Sequence, residues 1–338
     1  MDETGKAAPY VVDERVLRRF DQRKTVFGRM LFDADAPFHG RSMYEKAAGI
    51  IAAGRDGYSR ERFAEALAAW TVYNHFHGAF SETKLTGSES VMAEPDLPRH
   101  PAADPHAMSV AVKRAARRYG AALVGICRLD RRWIYARDLD GAPVRIPQEC
   151  RYAVVMAVAM DPAAIATSPR WEACAETGVA YSRMALCVAC VAEFIRNLGY
   201  RAVPAGNDLA LSIPLAIDAG LGGLGRNGLL VTRRFGPCVR LCKVFTDLPL
   251  RPDEPSAGVW EFCRRCTRCA EACEADAVRV DAEPSFEIAC VSNNPGVLKW
   301  AVDHDRCYRF WIENGGECSN CIAACPWTPK SGGERRSS

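Results

Sequence analysis

Apolar positions recur along this chain in two periods, 3.6 and near-continuous, and the alternation between them sets the expected elements. Behind Ser59, a residue suited to cap a helix, Phe63, Leu67 and Trp70 stand at helical spacing. A helix is predicted again over Ala111 to Tyr119, running into a short apolar strand at Ala121 to Ile126. Tyr152 to Met160 is an unbroken apolar run holding Val154 and Val155, the pattern of a buried strand. A long helix is expected from about Thr177 to Leu198, ended by Gly199. Ala202-Val203-Pro204 and Val239 to Val244 are further strand candidates, and Ile213 to Ala219 reads as helical. Strands alternating with helices between residues 107 and 255 predict an α/β or α+β sandwich. Residues 1–106 read as a helical and loop segment wrapping that core. Its last stretch, Met92 to His106, holds four prolines and is expected to be a loop. The pattern breaks at about 256, where short loops and cysteines take over until 328. The polar tail 329–338 is expected to be disordered.

Composition adds exclusions. With 338 residues, 49% hydrophobic and 25% charged, the chain can bury the cores of about two domains. A formal net charge of +3 is too balanced for a nucleic-acid surface. No apolar run reaches the roughly 18 residues that span a bilayer. Arg18-Arg19 is a twin arginine without a following hydrophobic stretch, so the chain reads as cytoplasmic. The alternative is the processed form of an exported protein on the outer face of the membrane, held there only through a partner.

Cysteine changes the picture most. Of 16 cysteines, nine lie between Cys263 and Cys325. Disulfide staples suit small secreted domains without a core, which this chain is not. Cys263, Cys266, Cys269 and Cys273 form a C-x2-C-x2-C-x3-C run, and Cys307 precedes Cys318, Cys321 and Cys325 in a second. Two-residue spacings wrap three sulfurs around three corners of a [4Fe–4S] cube, while the fourth cysteine points to the other cube. That exchange predicts Cys263, Cys266, Cys269 and Cys325 on one cluster, and Cys273, Cys307, Cys318 and Cys321 on the other. Four-cysteine zinc sites fit two interleaved quartets poorly. Glu274 stands where the first run would usually carry proline, as the second does at Pro326. Cys127, Cys150, Cys174, Cys187, Cys190, Cys238, Cys242 and Cys290 lack such spacing and read as small buried hydrophobes. Two clusters alone would suit an electron carrier, but some 200 residues upstream exceed what a carrier needs.

Gly220 to Gly225 matches G-x-G-x-x-G, yet the residues before it read as helix and no acid follows about 20 positions on. A dinucleotide fold is therefore not expected. Gly220, Gly222, Gly223, Gly225 and Gly228 still allow backbone to approach something closely, whether a flat or anionic group or a neighbouring element across a tight turn.

Several tracts together resemble the corrinoid-dependent reductive dehalogenases: Tyr181-Ser182-Arg183-Met184, Phe194 to Tyr200, Gly206-Asn207-Asp208, Ala219 to Gly228, Thr246 to Leu250, Cys307 to Trp311 and Cys325-Pro326-Trp327, with a weaker stretch at Phe20 to Phe27. The epoxyqueuosine reductases are a more distant likeness, but they would be expected to show a catalytic aspartate and a longer extension after the cysteines. The resemblance implies a nitroreductase-like domain that buries a cobamide, followed by a ferredoxin-like domain with two [4Fe–4S] clusters. It implies Tyr181, Asn207 and Arg240 as the catalytic group, with Tyr181 opening the long helix. Thr177 and Phe27 would line the substrate pocket, and Gly222, Gly223, Gly225, Asn227 and Gly228 would contact the cobamide. The asparagine matches respiratory members, since catabolic ones carry lysine there. The implied reaction cleaves a carbon–halogen bond of a small organohalide with two electrons and one proton. Tyr181 would give the proton, Arg240 would favour the phenolate left behind, and Asn207 would orient substrate or halide. A low-potential donor, a protein or a quinol-linked carrier, would supply electrons, and a homodimer is the expected assembly. Asp104-Pro105-His106 falls short of the Asp-x-His-x-x-Gly motif that places histidine on cobalt, so a base-off cobamide without histidine is expected.

Overall fold

The computed structural model describes residues 10–77, 98–256 and 258–330. At its centre lies an antiparallel sheet of β1 (Leu123–Arg128), β2 (Tyr152–Ala159), β3 (Ala202–Ala205) and β6 (Val239–Thr246), in the order β1-β2-β6-β3. Between β3 and β6 the chain forms a short hairpin of β4 (Gly223–Leu224) and β5 (Leu230–Val231). Side chains of a strand alternate between faces. Ala153, Val155 and Ala157 of β2 and Val239, Leu241 and Phe245 of β6 pack with Trp133, Ile134 and Leu215 on one face. Val154, Met156 and Val158, with Cys242 and Val244, pack on the other against the helix Trp171–Asn197. The helix Ser212–Asp218 closes the first face and Pro105–Arg118 shares the second, giving three layers. The fold is thus mixed α/β, as expected.

The long helix is long and apolar enough to cross a membrane by composition, but Met184, Val188, Val191 and Ile195 are buried in the core. It also corrects the sequence reading. The helix begins at Trp171 rather than Thr177, so Tyr181 lies in its third turn and does not open it. Two features hid the start: Arg170 offers no side-chain cap, and Gly178 interrupts the helical pattern. A Cβ on Gly178 would lie 2.8 Å from the Ala69 Cβ and 2.9 Å from Trp70, so glycine is required by packing between helices. The expected proline loop is also shortened from its far end. Asp104 accepts from the backbone N–H of His106 and Ala107, Pro105 takes the first helical position, and the helix runs to Arg118. The strand after it begins two residues later than expected. Met92 to Leu97 of that loop and 331–338 of the tail lie outside the described residues.

The N-terminal segment touches both the sheet and the cysteine-rich region. Val12 bridges to Val297 and Asp21 to Arg137, while Tyr58 and Ala66 pack on Trp171 and Cys174. Tyr10 donates to Asp218 at 3.1 Å and accepts from the indole of Trp133.

Candidate functional site

The cysteine-rich region is built from short helices joined by tight turns: Trp260–Arg265, Arg268–Glu271, His304–Asn314 and Asn320–Ala323. Cys263, Cys266, Cys269 and Cys325 line one cavity, with Gly225, Arg226 and Trp327. Cys273, Cys307 and Cys318 act electrostatically on Cys321, as does Cys269 from the first group. The structure therefore gathers two interleaved sulfur quartets, and Cys325 sits with the first run while Cys273 sits with the second. Burial pushes the thiols of Cys269 and Cys307 up to about 12, with their neighbouring cysteines adding to the rise. Four thiolates held together out of water repel one another, so this donor set suits a cationic iron cluster rather than free thiols. Glu274 also gains an account: it accepts from the Asn320 amide at 2.9 Å, tying one cysteine run to the other.

The hairpin tip reaches into this region. Arg226 donates to the carbonyls of Cys263 and Cys266, and Asn227 to that of Cys321. Gly222, Gly223, Gly225 and Gly228 pack closely on neighbouring chain. A Cβ on Gly222 would lie 2.3 Å from the Val231 carbonyl, and one on Gly223 2.8 Å from Gly258. The close approach that demands glycine is to the chain itself, and Asn227 points its amide at the cysteine loop.

Thr177, Tyr181, Asn207 and Arg240 come together from three elements. Asn207 donates its amide to the Tyr181 phenol at 2.6 Å. The Arg240 guanidinium lies 5.4 Å from the centre of the Tyr181 ring and donates to Thr177 at 3.2 Å. Register explains the meeting: Arg240 opposes Val158 at the end of β6, on the face covered by the long helix. Thr177 is buried, Tyr181 and Arg240 are half-buried, and Asn207 is exposed, so the phenol remains reachable. The Nε of Arg240 is buried with no partner among the described residues. Leaving such a donor unpaired costs about 1–3 kcal/mol, and an acceptor brought onto this face would relieve it. Phe27 makes its ring contacts elsewhere, with Tyr308 at 5.9 Å and Trp311 at 6.1 Å.

Sequence reasoning missed the supports of this face. Trp70 stacks on Tyr181 at 4.8 Å and Tyr73 meets its edge at 5.0 Å. Lys243, wholly buried on β6, donates to the carbonyls of Gly206, Asp208 and Ala210 and to the Ser212 hydroxyl. Burial pushes its ammonium down to about 8, which leaves it protonated at neutral pH with three hydrogens to give. It thereby clamps the turn that carries Asn207, in which Leu209 takes a left-handed φ of 62°. A lysine inside the apolar run of β6 was the available signal. Glu317, beside Cys318, is buried and accepts from the Tyr44 hydroxyl at 3.0 and 3.1 Å. Burial raises its carboxyl, while the charge of Arg240 acts in the opposite sense.

Residues 262–328 match the 4Fe-4S dicluster domain family. The chain is 40% identical over 259 residues to the tetrachloroethene reductive dehalogenase of Desulfitobacterium hafniense, covering 64% of this chain and 47% of that one. It is 34% identical over 331 residues to the tetrachloroethene reductive dehalogenase of Sulfurospirillum multivorans, covering 86% and 64%. A shorter match, 36% over 113 residues, reaches the epoxyqueuosine reductase of Cyclobacterium marinum, covering 33% of this chain and 35% of that one. The solved structure of a catabolic reductive dehalogenase in complex with 3-bromo-4-hydroxybenzoic acid superposes with a TM-score of 0.74 at 23% identity, over 96% of this chain and 44% of that one. The chain thus spans about half to two thirds of the length of these curated dehalogenases.

Proposed function

The chain is a homologue of the reductive dehalogenases, and on that premise we propose that it takes part in the reductive removal of halide from a small organohalide. The observation that carries this reading is the phenol of Tyr181, kept reachable and held at 2.6 Å by Asn207 beside an unpaired Arg240 donor. The two sulfur quartets fit iron clusters, Cys263, Cys266, Cys269 and Cys325 holding one and Cys273, Cys307, Cys318 and Cys321 the other. A cobamide, expected from the resemblance, would face Tyr181, Asn207, Arg240 and Thr177 and would supply electrons of low potential to the carbon–halogen bond. It would bind base-off without a histidine ligand, as the resemblance implies.

The side chains then have separate tasks. Tyr181 gives its phenolic proton to the carbon that loses halogen. The phenolate left behind is stabilised by the Asn207 amide and by the Arg240 charge. The free Nε of Arg240 offers a donor to departing halide. Trp70 and Tyr73 hold the phenol ring in place and exclude water from its apolar sides. Electrons come from a low-potential protein or quinol-linked donor through the cysteine-rich region. The test is halide release by anaerobically purified protein reconstituted with iron, sulfide and cobamide. Tetrachloroethene and a bromophenol are the substrates, and epoxyqueuosine-bearing tRNA the competing one. Halide release supports the reading. Reduction of the tRNA alone, or eight irons with no bound corrinoid and no turnover, overturns it.

A further inference from the structure

Among the described residues Arg226 is a cation without an anion. It is 1% exposed, and every hydrogen bond it makes ends on a neutral carbonyl. Its Nε donates to Cys263 at 3.2 Å and Cys266 at 2.9 Å, its Nη2 to Cys263 at 2.6 Å, and its Nη1 to Arg279 at 2.9 Å and Asp281 at 2.7 Å. The guanidinium also lies over the Trp300 ring at 4.8 Å. The carboxylates close in sequence to these acceptors are paired elsewhere, Asp281 with Arg279, and Glu261 and Glu283 with Arg264. A charge this deeply buried needs a counter-charge, since carbonyl dipoles replace only part of its hydration. The cavity that Arg226 lines is walled by Cys263, Cys266, Cys269 and Cys325. A cube held by four thiolates is a net anion, and it becomes more negative by one charge on reduction. The residue next to Cys318 of the second quartet is no cation but the buried Glu317, whose carboxyl accepts from the Tyr44 hydroxyl.

We propose that Arg226 is the built-in counter-ion of the first cluster and sets its reduction potential above that of the second. The physical reason is Coulombic: a fixed positive charge stabilises the reduced, more negative state, and net charge and hydrogen bonding are the protein's levers on cluster potential. Electrons entering the region would then rest at the Cys263 cluster. The guanidinium touches no substrate, so Arg226 is a positioning and tuning residue. The inference rests on the cluster assignment made above.

The experiment is a redox titration followed by electron paramagnetic resonance, on anaerobically purified protein loaded with iron and sulfide and free of corrinoid. In the unsubstituted chain, the cluster reduced first should be the one whose signal is lost or altered by Cys325→Ser. The cluster reduced second should respond to Cys318→Ser. Arg226→Met should lower the first potential by at least a tenfold change in the reduction equilibrium, about 59 mV for one electron, and leave the second within error. Arg226→Lys, which keeps the charge and loses the fork, should recover most of the shift. The cysteine variants alone decide the order if Arg226→Met does not fold. Reversed order, or equal movement of both potentials, overturns the inference while leaving two clusters in place. A chain that binds no iron–sulfur clusters overturns the cluster reading itself.

Discussion

The cysteine-rich region and the phenol face are the two chemical regions of this molecule, and they are built in opposite ways. The eight predicted iron ligands all lie on short helices or in the turns beside them, and two of their loops are held by Arg226 and Asn227 from one hairpin. The phenol face takes Tyr181 from a helix, Asn207 from a turn and Arg240 from a strand end, and stands partly open. The closed region holds groups that must not move. The open one presents groups that must meet something from outside. What the difference teaches is that local spacing suffices for the first, while the second depends on supports that lie far away in the chain.

The sharpest challenge is to the interleaving of the quartets. Cys269→Ser with Cys325→Ser should remove about four of eight irons, whereas Cys269→Ser with Cys273→Ser should remove nearly all, read by iron and sulfide analysis. The opposite result would mean that each run holds its own cluster. Next in size is the phenol. Tyr181→Phe should leave iron and corrinoid content unchanged and cut halide release roughly 10²- to 10⁴-fold, the usual contribution of a general acid; unchanged turnover would remove Tyr181 from its role. Lys243→Met probes the remote support. It strips three carbonyls of a buried donor and should lower unfolding stability by roughly 3 kcal/mol. Asn207 should lose its hold on Tyr181, so kcat should fall more than KM rises.

The smallest effect concerns Asp218, at the end of the helix Ser212–Asp218. Burial raises the Asp218 carboxyl from its usual range to about 7, so the folded chain takes up a proton there that the unfolded chain does not. Its contribution to stability is full below about pH 4 and is lost as pH rises through 7. Asp218→Asn should flatten the fall in melting temperature between pH 5 and 8; an unaltered slope would show that Asp218 does not govern it.

The sequence made the cysteine quartets legible because ligand geometry is written in spacings of two and three residues. Strands β2, β3 and β6 were legible from their apolar runs, as was the Ser59-capped helix. Tyr181, Asn207 and Arg240 were found by resemblance; nothing in their separation along the chain shows that they meet. Trp70 read only as one apolar position of a helix, and Lys243 and Glu317 drew no attention, because their partners come from distant segments. The need of the glycine loop for close approach was legible, but that Val231 and Gly258 pack against it is a property of three-dimensional packing.

The hairpin tip has one more consequence. Arg226 and Asn227 hold one loop of each quartet from the tip of the β4–β5 hairpin, so any shift of those cysteine loops is passed along the hairpin to the helix Ser212–Asp218 and the sheet layer it covers.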